Sequence, residues 1–143
     1  MNAALIARIV GLIFLVFGVA GFLPWVAPAA AFDAPVITLD AGYRMLFGIF
    51  PVNAALDVLY LLFGIWGLVA GARFRAAVVY SRSLVWIALV LIVLGAIPIT
   101  NTLFGAAPIY GWDVALYVLV AIVAAYGGYG RGSIMEEVQA PAE

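Results

Sequence analysis

Two pairs of an aspartate and a tyrosine are the polar side chains that could do chemistry inside otherwise apolar stretches of this chain. Asp57 and Tyr60 are three positions apart, and Asp113 and Tyr117 are four apart. Within a helix each pair therefore shares a face. Acidic groups inside membrane segments are functional candidates, because burying them is costly. Such a cluster could bind a small cation or a lipid head group.

The same residues also have a purely structural interpretation. An Asp in the first turn of a helix complements the positive end of the helix dipole by about 0.3–1 kcal/mol. A Tyr near a membrane surface joins the aromatic belt found there. Arg44 is the basic residue of the expected exterior segments. It could pair with Asp40, Asp57 or Asp113, or it could contact lipid phosphate.

The composition indicates which elements must position these residues. The chain is 69% hydrophobic and 9% charged, with a mean hydropathy of +1.26. In a soluble domain about a quarter of the residues are charged. Four continuous apolar runs approach the length of about 20 residues that crosses a bilayer. Continuous runs favour helices over strands. The predicted spans cover about residues 6–25, 53–71, 76–97 and 112–129, which makes an all-α four-helix transmembrane bundle.

Several function classes are excluded or disfavoured by residue types. The chain has no Cys and no His, and its net charge is −1. Thiol chemistry is therefore excluded, an intramembrane haem or zinc site has almost no candidate ligands, and no basic run suggests nucleic acid as a partner. No pairing of a nucleophile with a base is visible. We expect no cofactor, no metal and no catalytic activity.

An internal similarity divides the chain into two halves. Residues 46–70 find a degraded copy 57 positions further on. Asp57 matches Asp113 only after a slip of one residue. The similarity predicts two related helical hairpins, arranged as a parallel repeat about an axis along the membrane normal. The matching residues are Leu46, Phe47, Gly48, Pro51, Leu59 and Tyr60 with Leu103, Phe104, Gly105, Pro108, Leu116 and Tyr117.

Local signals set the start of the second helix and the packing of the bundle. Pro51 disfavours helix at the residue before it, so we expect Asn53 as the N-cap and residues 44–50 as a separate interfacial segment. The alternative is one long helix from Tyr43 with a kink at Pro51. Small residues four apart let helices approach closely. The expected packing residues are Gly67, Gly71, Ala121 and Ala125.

Basic residues predict the orientation. Five Arg fall on the side of the termini and one, Arg44, on the other. The positive-inside rule then places both termini in the cytoplasm of a multi-pass protein of the cell membrane. We expect residues 1–130 to form the membrane domain and residues 131–143 a disordered polar cytoplasmic tail. The first span is similar in composition to a secretory signal peptide. The region where such a signal would be cleaved contains the bulky or rigid residues Pro24, Trp25 and Pro28, so we expect the first span to be retained.

The stretches at residues 21–24 (GFLP), 46–53 (LFGIFPVN) and 61–68 (LLFGIWGL) carry a family resemblance. Together with the second Asp-containing stretch, they resemble the bacterial four-helix membrane family labelled domain of unknown function 4383, over about residues 7–129. The resemblance implies a topology and no activity. It also implies His where this chain has Leu56, Tyr60 and Tyr117, so metal ligation or imidazole proton transfer at those positions is not available here.

Two functions from different classes follow. The first is a non-catalytic accessory or scaffold subunit, with the lipid bilayer and a membrane-protein partner or a second copy as its contacts. The second is a small transporter or a lipid- or ion-binding protein that uses the cluster of Asp57, Tyr60, Asp113, Tyr117 and Arg44. Burial discriminates between them. Carboxylates that cap backbone amides or face the exterior water favour the scaffold, and carboxylates that face each other in a cavity favour the binder.

Overall fold

Four apolar helices dominate the structure, a computed structural model that describes residues 2–139. Three of them are long and apolar enough to cross a membrane, whereas α2, with 17 residues, is a shorter apolar helix. The prediction of an all-α four-helix architecture is confirmed, and membrane-spanning length is found for three of the four predicted spans. The helices are α1 (Ala3–Gly21), α2 (Ala54–Ala70), α3 (Phe74–Ala96) and α4 (Trp112–Tyr129), followed by the short α5 (Arg131–Gln139).

Helices α1 and α2 lie antiparallel in close contact. A Cβ atom at Gly67 would come within 2.8 Å of both the Ala7 carbonyl oxygen and the Gly11 Cα. At the far end of the pair, Arg8 Nε donates to the Gly71 carbonyl at 2.9 Å, and any side chain at Gly71 would meet Arg8. Both glycines therefore lie against α1, where small residues allow the two backbones to approach.

Helices α3 and α4 form the second antiparallel contact. Arg82 Nε donates to the Gly128 carbonyl at 2.9 Å, and its guanidinium lies 5.2 Å from the centre of the Tyr129 ring. A Cβ at Gly128 would lie 2.9 Å from Arg82 Cγ. Ala121 and Ala125, the residues expected to pack here, are half-buried, whereas Ala124, Gly127 and Gly128 of the same helix are buried.

The segment before α2 is a β-hairpin. Its strands β1 (Arg44–Leu46) and β2 (Phe50–Val52) pair antiparallel, with Arg44 opposite Val52. Phe47 and Gly48 turn the chain with φ of 54° and 75°, a left-handed conformation that ends any helix. The alternative of one long kinked helix from Tyr43 is therefore wrong. Asn53 Oδ1 accepts from the Leu56 amide at 2.9 Å, which confirms Asn53 as the N-cap.

The region after α4 differs from its prediction. Arg131–Gln139 forms α5 where the sequence predicted a disordered tail. The hydroxyl of Ser133 donates to the Gly127 carbonyl at 2.6 Å and ties this helix to the end of α4. Residues 140–143 of the expected tail lie outside the described residues. The apolar core runs continuously through α1 to α4 and continues into the loops before α2 and α4.

Candidate functional site: two buried carboxyls

Asp57 lies in the first turn of α2 and is fully buried, with 0% of its surface exposed. Its carboxyl sits directly against Gly21, the last residue of α1, where any side chain would collide with it. Neither carboxylate oxygen has a hydrogen-bond partner. The cap of α2 is Asn53, so Asp57 neither caps the helix nor reaches water.

Asp113 repeats this situation in the first turn of α4. It too is 0% exposed, and both of its carboxylate oxygens lack a hydrogen-bond partner. The N-cap of α4 is Gly111, which makes no side-chain hydrogen bond. Both acids lie in the first turn, as the helix-dipole interpretation expects, but they are enclosed and do not face water. They do not line the cavity described below either. Buried polar groups almost always find partners, so two acids without any are exceptional.

Tyr60 and Tyr117 meet in the middle of the bundle. Their hydroxyl oxygens are 3.2 Å apart, and both side chains are buried. The ring of Tyr60 stacks on Phe14 of α1 at 5.6 Å between centroids. Both carboxyls act electrostatically on Tyr60, and Asp113 acts on Tyr117. Neither carboxyl accepts a hydrogen bond from these hydroxyls. Because both tyrosines are buried, they do not join an aromatic belt at the surface of the bundle.

A small apolar cavity adjoins the two tyrosines. Its volume is about 50 Å³, and Tyr60 and Tyr117 contribute to its wall while Asp57 and Asp113 do not. The other lining residues are apolar and come from α1 to α4 and the loop before α4: Phe14, Leu56, Leu59, Phe63, Leu84, Ile87, Ala88, Leu91, Leu103 and Val120.

Two loops, residues 22–43 and 97–111, cover the starts of α2 and α4, and we call them the roof. Asn53 Nδ2 donates to the Leu39 carbonyl at 2.8 Å and to the Ala106 carbonyl at 2.9 Å. Residues 38 and 39 donate their backbone amides to the Gly105 carbonyl. Asn53 is fully buried, so one side chain fastens both loops to the helix it caps. The sequence signalled the cap, but it held no signal for the two bonds between loops.

A tyrosine pair closes the same roof. The hydroxyls of Tyr43 and Tyr110 are 2.6 Å apart, and Tyr43 also donates to the Pro35 carbonyl. Because the single hydroxyl proton of Tyr43 goes to Pro35, Tyr110 is the donor in the pair. Burial, followed by this hydrogen bond, raises the pKa of Tyr110. Tyr110 therefore keeps its proton, and the roof keeps its bond, across the ordinary pH range.

Arg44 stands at the edge of the cluster. It is half-buried in β1, and its Nη1 donates to the Ala27 carbonyl at 3.4 Å. Its charge also acts on the Asp57 carboxyl. Among the described residues no charged side chain acts on the Asp113 carboxyl in the same way. Of the five residues of the predicted cluster, Tyr60 and Tyr117 are in direct contact. Asp57, Asp113 and Arg44 act on their neighbours electrostatically, and the two carboxyls do so without a hydrogen bond.

Two glycines at helix ends also shape the site. Gly21 lies against Asp57, and Gly95, near the end of α3, lies against Ile109 and Val114 beside the start of α4. A repeated pattern could have identified both, because each glycine is followed three residues later by a proline, Pro24 or Pro98. Glycine at these positions lets the end of one helix touch the start of the next.

Comparison with known proteins identifies the family but no activity. Residues 4–130 match the family model described as domain of unknown function (DUF4383). The chain belongs to this family, and the resemblance drawn from its motifs is confirmed. No match was found among curated proteins or among solved structures.

Proposed function

We propose that this member of the DUF4383 family is an integral membrane protein that binds a small cation, the proton included, at its buried acids. The observation that supports it is the set of four carboxylate oxygens, two on Asp57 and two on Asp113, that are buried without a hydrogen-bond partner. Moving an ionised carboxylate into an apolar interior is very costly unless a counter-charge or a proton accompanies it. A bound cation would supply the counter-charge that the protein does not provide at these carboxyls.

The accessory or scaffold role predicted from the sequence requires less of these residues. A scaffold needs the acids only as helix caps or as complements to the helix dipole, and Asn53 already caps α2. Retaining two acids with unsatisfied oxygens reduces stability by about 1–3 kcal/mol for each orphaned group. Such a cost is typical of positions kept for binding. The scaffold role is the outcome if the acids prove to have no cation response.

The proposed site rests on two halves built alike, as a repeat of two helical hairpins would be. Phe47 and Phe104, 57 positions apart, have φ of 54° and 57°. The arginine bonds correspond as well: Arg8 donates to Gly71, and Arg82 donates to Gly128, which again lies 57 positions after Gly71. These matches support a common hairpin plan that places one acid at the start of α2 and one at the start of α4.

We extend the proposal to the orientation in the membrane. Helix α2 runs beside α1 from the Gly21 end to the Arg8 end, which supports α2 as a fourth span despite its length. Since α1 supplies core residues, its retention is part of the same proposal. With both termini cytoplasmic, an Asn2→Cys variant should resist a membrane-impermeant thiol reagent in intact cells, and Val36→Cys should react. Labelling at position 2 would overturn the orientation.

Thermal unfolding of the full-length protein in detergent tests the proposed function. The midpoint is measured for wild type, Asp57→Asn, Asp113→Asn and Asp40→Asn while choline is replaced by Li⁺, Na⁺ or K⁺ at constant ionic strength, and again while pH is varied. Asp40 is an exposed acid and serves as the matched control. The proposal expects a cation or proton response in wild type and Asp40→Asn that both buried-site variants lose. An equal response in all four proteins would overturn it.

A further inference from the structure

We infer that an open groove between α1 and α4 binds one acyl chain of a bilayer phospholipid. The groove lies where the hairpin of α1 and α2 meets the hairpin of α3 and α4, and we call it the α1–α4 groove. The site depends on the membrane location proposed above but not on cation binding, because neither Asp57 nor Asp113 lines the groove.

The α1–α4 groove is apolar in all of its lining side chains and has a volume of about 260 Å³. Its floor consists of the buried side chains of Val10 and Phe14 from α1 and Val120 from α4. Its walls reach the surface at the exposed side chains of Ile13 and Leu119. An occupant of this groove must therefore be apolar along its length.

The β-hairpin closes one end of the groove. Strand β1 packs on α1 and strand β2 packs on α4, so the hairpin bridges both sides. The ring of Phe17, which lines this end, lies 5.8 Å from the Phe47 ring and 5.5 Å from the Phe50 ring, measured between centroids. The groove follows residues 9–17 of α1, about 12 Å of helix. A chain in it therefore ends at Phe17 and extends toward the end of the bundle where the termini lie.

A second opening lies at the equivalent place between the hairpins. It is the cavity of about 50 Å³ described above, and most of its wall comes from α2 and α3. The two hairpins can be aligned by their arginine bonds, with Arg8 on Arg82 and Gly71 on Gly128. The lining residues of α1 and α3 then coincide, because Val10, Ile13, Phe14 and Phe17 fall on Leu84, Ile87, Ala88 and Leu91.

The two openings differ in volume because α2 and α4 differ in side-chain size. Phe63 of α2 falls on Val120 of α4, and Trp66 falls on Val123. The Phe63 ring lies 6.0 Å from the ring of Phe14 and 6.3 Å from that of Trp66, so aromatic side chains fill the space beside α2. Beside α4 the space stays open. Apolar side chains at an unfilled space lose dispersion contacts, and the material that a bilayer offers to fill it is hydrocarbon.

A transmembrane helix fits this groove less well than an acyl chain does. Close packing of helices in a membrane needs small residues at the contact. Gly11 and Gly18 of α1 already lie against α2, and Gly127 and Gly128 of α4 lie against Ile6 and against Arg82 of α3. The walls of the groove carry Ile and Leu instead. The occupant is therefore thin and flexible, as an acyl chain is.

Native mass spectrometry of the full-length protein in detergent tests this inference. The probe is dioleoyl phosphatidylglycerol, and the competitor is glycerophosphoglycerol, the same head group without chains. The filling variants Val120→Phe and Val123→Trp give α4 the side chains of α2. The matched controls Val118→Phe and Ile122→Trp change exposed positions of α4 outside the groove.

We expect one retained phospholipid for each chain of wild type and of both controls, with no competition from the free head group. Binding should be weaker by about tenfold or more in each filling variant, because the buried hydrocarbon loses its place. Equal binding in wild type and both filling variants would overturn the acyl-chain site. Competition by the head group alone, or a dimer that the filling variants abolish, would overturn it as well. The probe measurement involves neither acid, so a missing cation response would overturn the proposed function and leave this result unaffected.

A measurement on wild type alone keeps the inference testable if the filling variants fail to fold. Phosphatidylglycerol with a diazirine in the middle of one acyl chain is photolysed in dioleoyl phosphatidylcholine vesicles that contain the protein, and the adducts are mapped by peptide mass spectrometry. We expect adducts on the buried floor residues Phe14 and Val120. Adducts restricted to exposed residues such as Leu12 and Ile122 would show only the surrounding lipid and would overturn the inference.

Discussion

The starts of α2 and α4 place an acid at the same depth of burial but support it in different ways. Asp57 follows a β-hairpin, an Asn cap and a neighbouring Arg. Asp113 follows a 3-10 turn, Leu103–Gly105, and a glycine cap with φ of 65°. The shared features are full burial and unpartnered oxygens. The supports differ while the orphaned acids recur, which is the pattern we expect if the acids serve the proposed site and the supports serve the fold.

The largest expected effect comes from removing Asn53, the side-chain cap that α2 has and α4 lacks. Asn53→Ala deletes the cap, worth about 0.5–2 kcal/mol, and leaves the part-buried carbonyls of Leu39 and Ala106 without their donor, at about 1–3 kcal/mol. We expect a loss of about 2–4 kcal/mol in the free energy of unfolding in detergent. Asn101→Ala, at a half-buried Asn of the loop before α4, is the control. Equal losses for the two variants would contradict the role of Asn53 as the fastener of both loops.

The next effect concerns the contact of Gly21 with Asp57. Gly21→Ala places a Cβ in the carboxyl, and overpacking of this kind costs about 1–3 kcal/mol. A double-mutant cycle isolates the contact. Asp57→Ala should relieve most of the loss, whereas Asp113→Ala should leave it unchanged. Relief by both substitutions, or by neither, would show that Gly21 does not act through Asp57.

Local parts of this comparison were predictable from the sequence, and non-local parts were not. The Asn53 cap and the bounds of α4 follow from short-range signals and agree with the structure. The β-hairpin was missed because Phe47 adopts a positive φ, which is unusual for a residue other than Gly. The burial of Asp57 was missed because it depends on a contact with Gly21, a residue far away in sequence at the end of α1. The missing hydrogen bonds of both acids have no sequence signal at all.

A smaller effect is expected at the glycine cap of α4. Gly111 has a φ of 65° and open space around its missing Cβ. Gly111→Ala therefore introduces backbone strain without a clash, and we expect a loss of about 1–2 kcal/mol. Gly132→Ala is the control, since it too has open space but no positive φ. If Gly111→Ala lowered the free energy of unfolding as much as Asn53→Ala does, the two helix starts would not differ in how they are stabilised.

The smallest effect is expected at the tyrosine pair that connects α2 and α4. Tyr60→Phe and Tyr117→Phe each remove the hydrogen bond between the hydroxyls, worth about 0.5–1.5 kcal/mol. Because both substitutions delete the same bond, the double variant should lose little more than either single variant. Additive losses in chemical unfolding would mean that the two hydroxyls are not coupled.

The central claim, that the acids form a binding site and not a support, is tested most directly by the double variant Asp57→Leu, Asp113→Leu. Its thermal midpoint is measured beside wild type across pH and across choline, Na⁺ and K⁺. Replacing unpartnered buried polar groups with apolar ones of similar size is neutral or stabilising. We predict a midpoint equal to or above that of wild type and no remaining response to protons or alkali cations. A lower midpoint with the wild-type response intact would contradict the account.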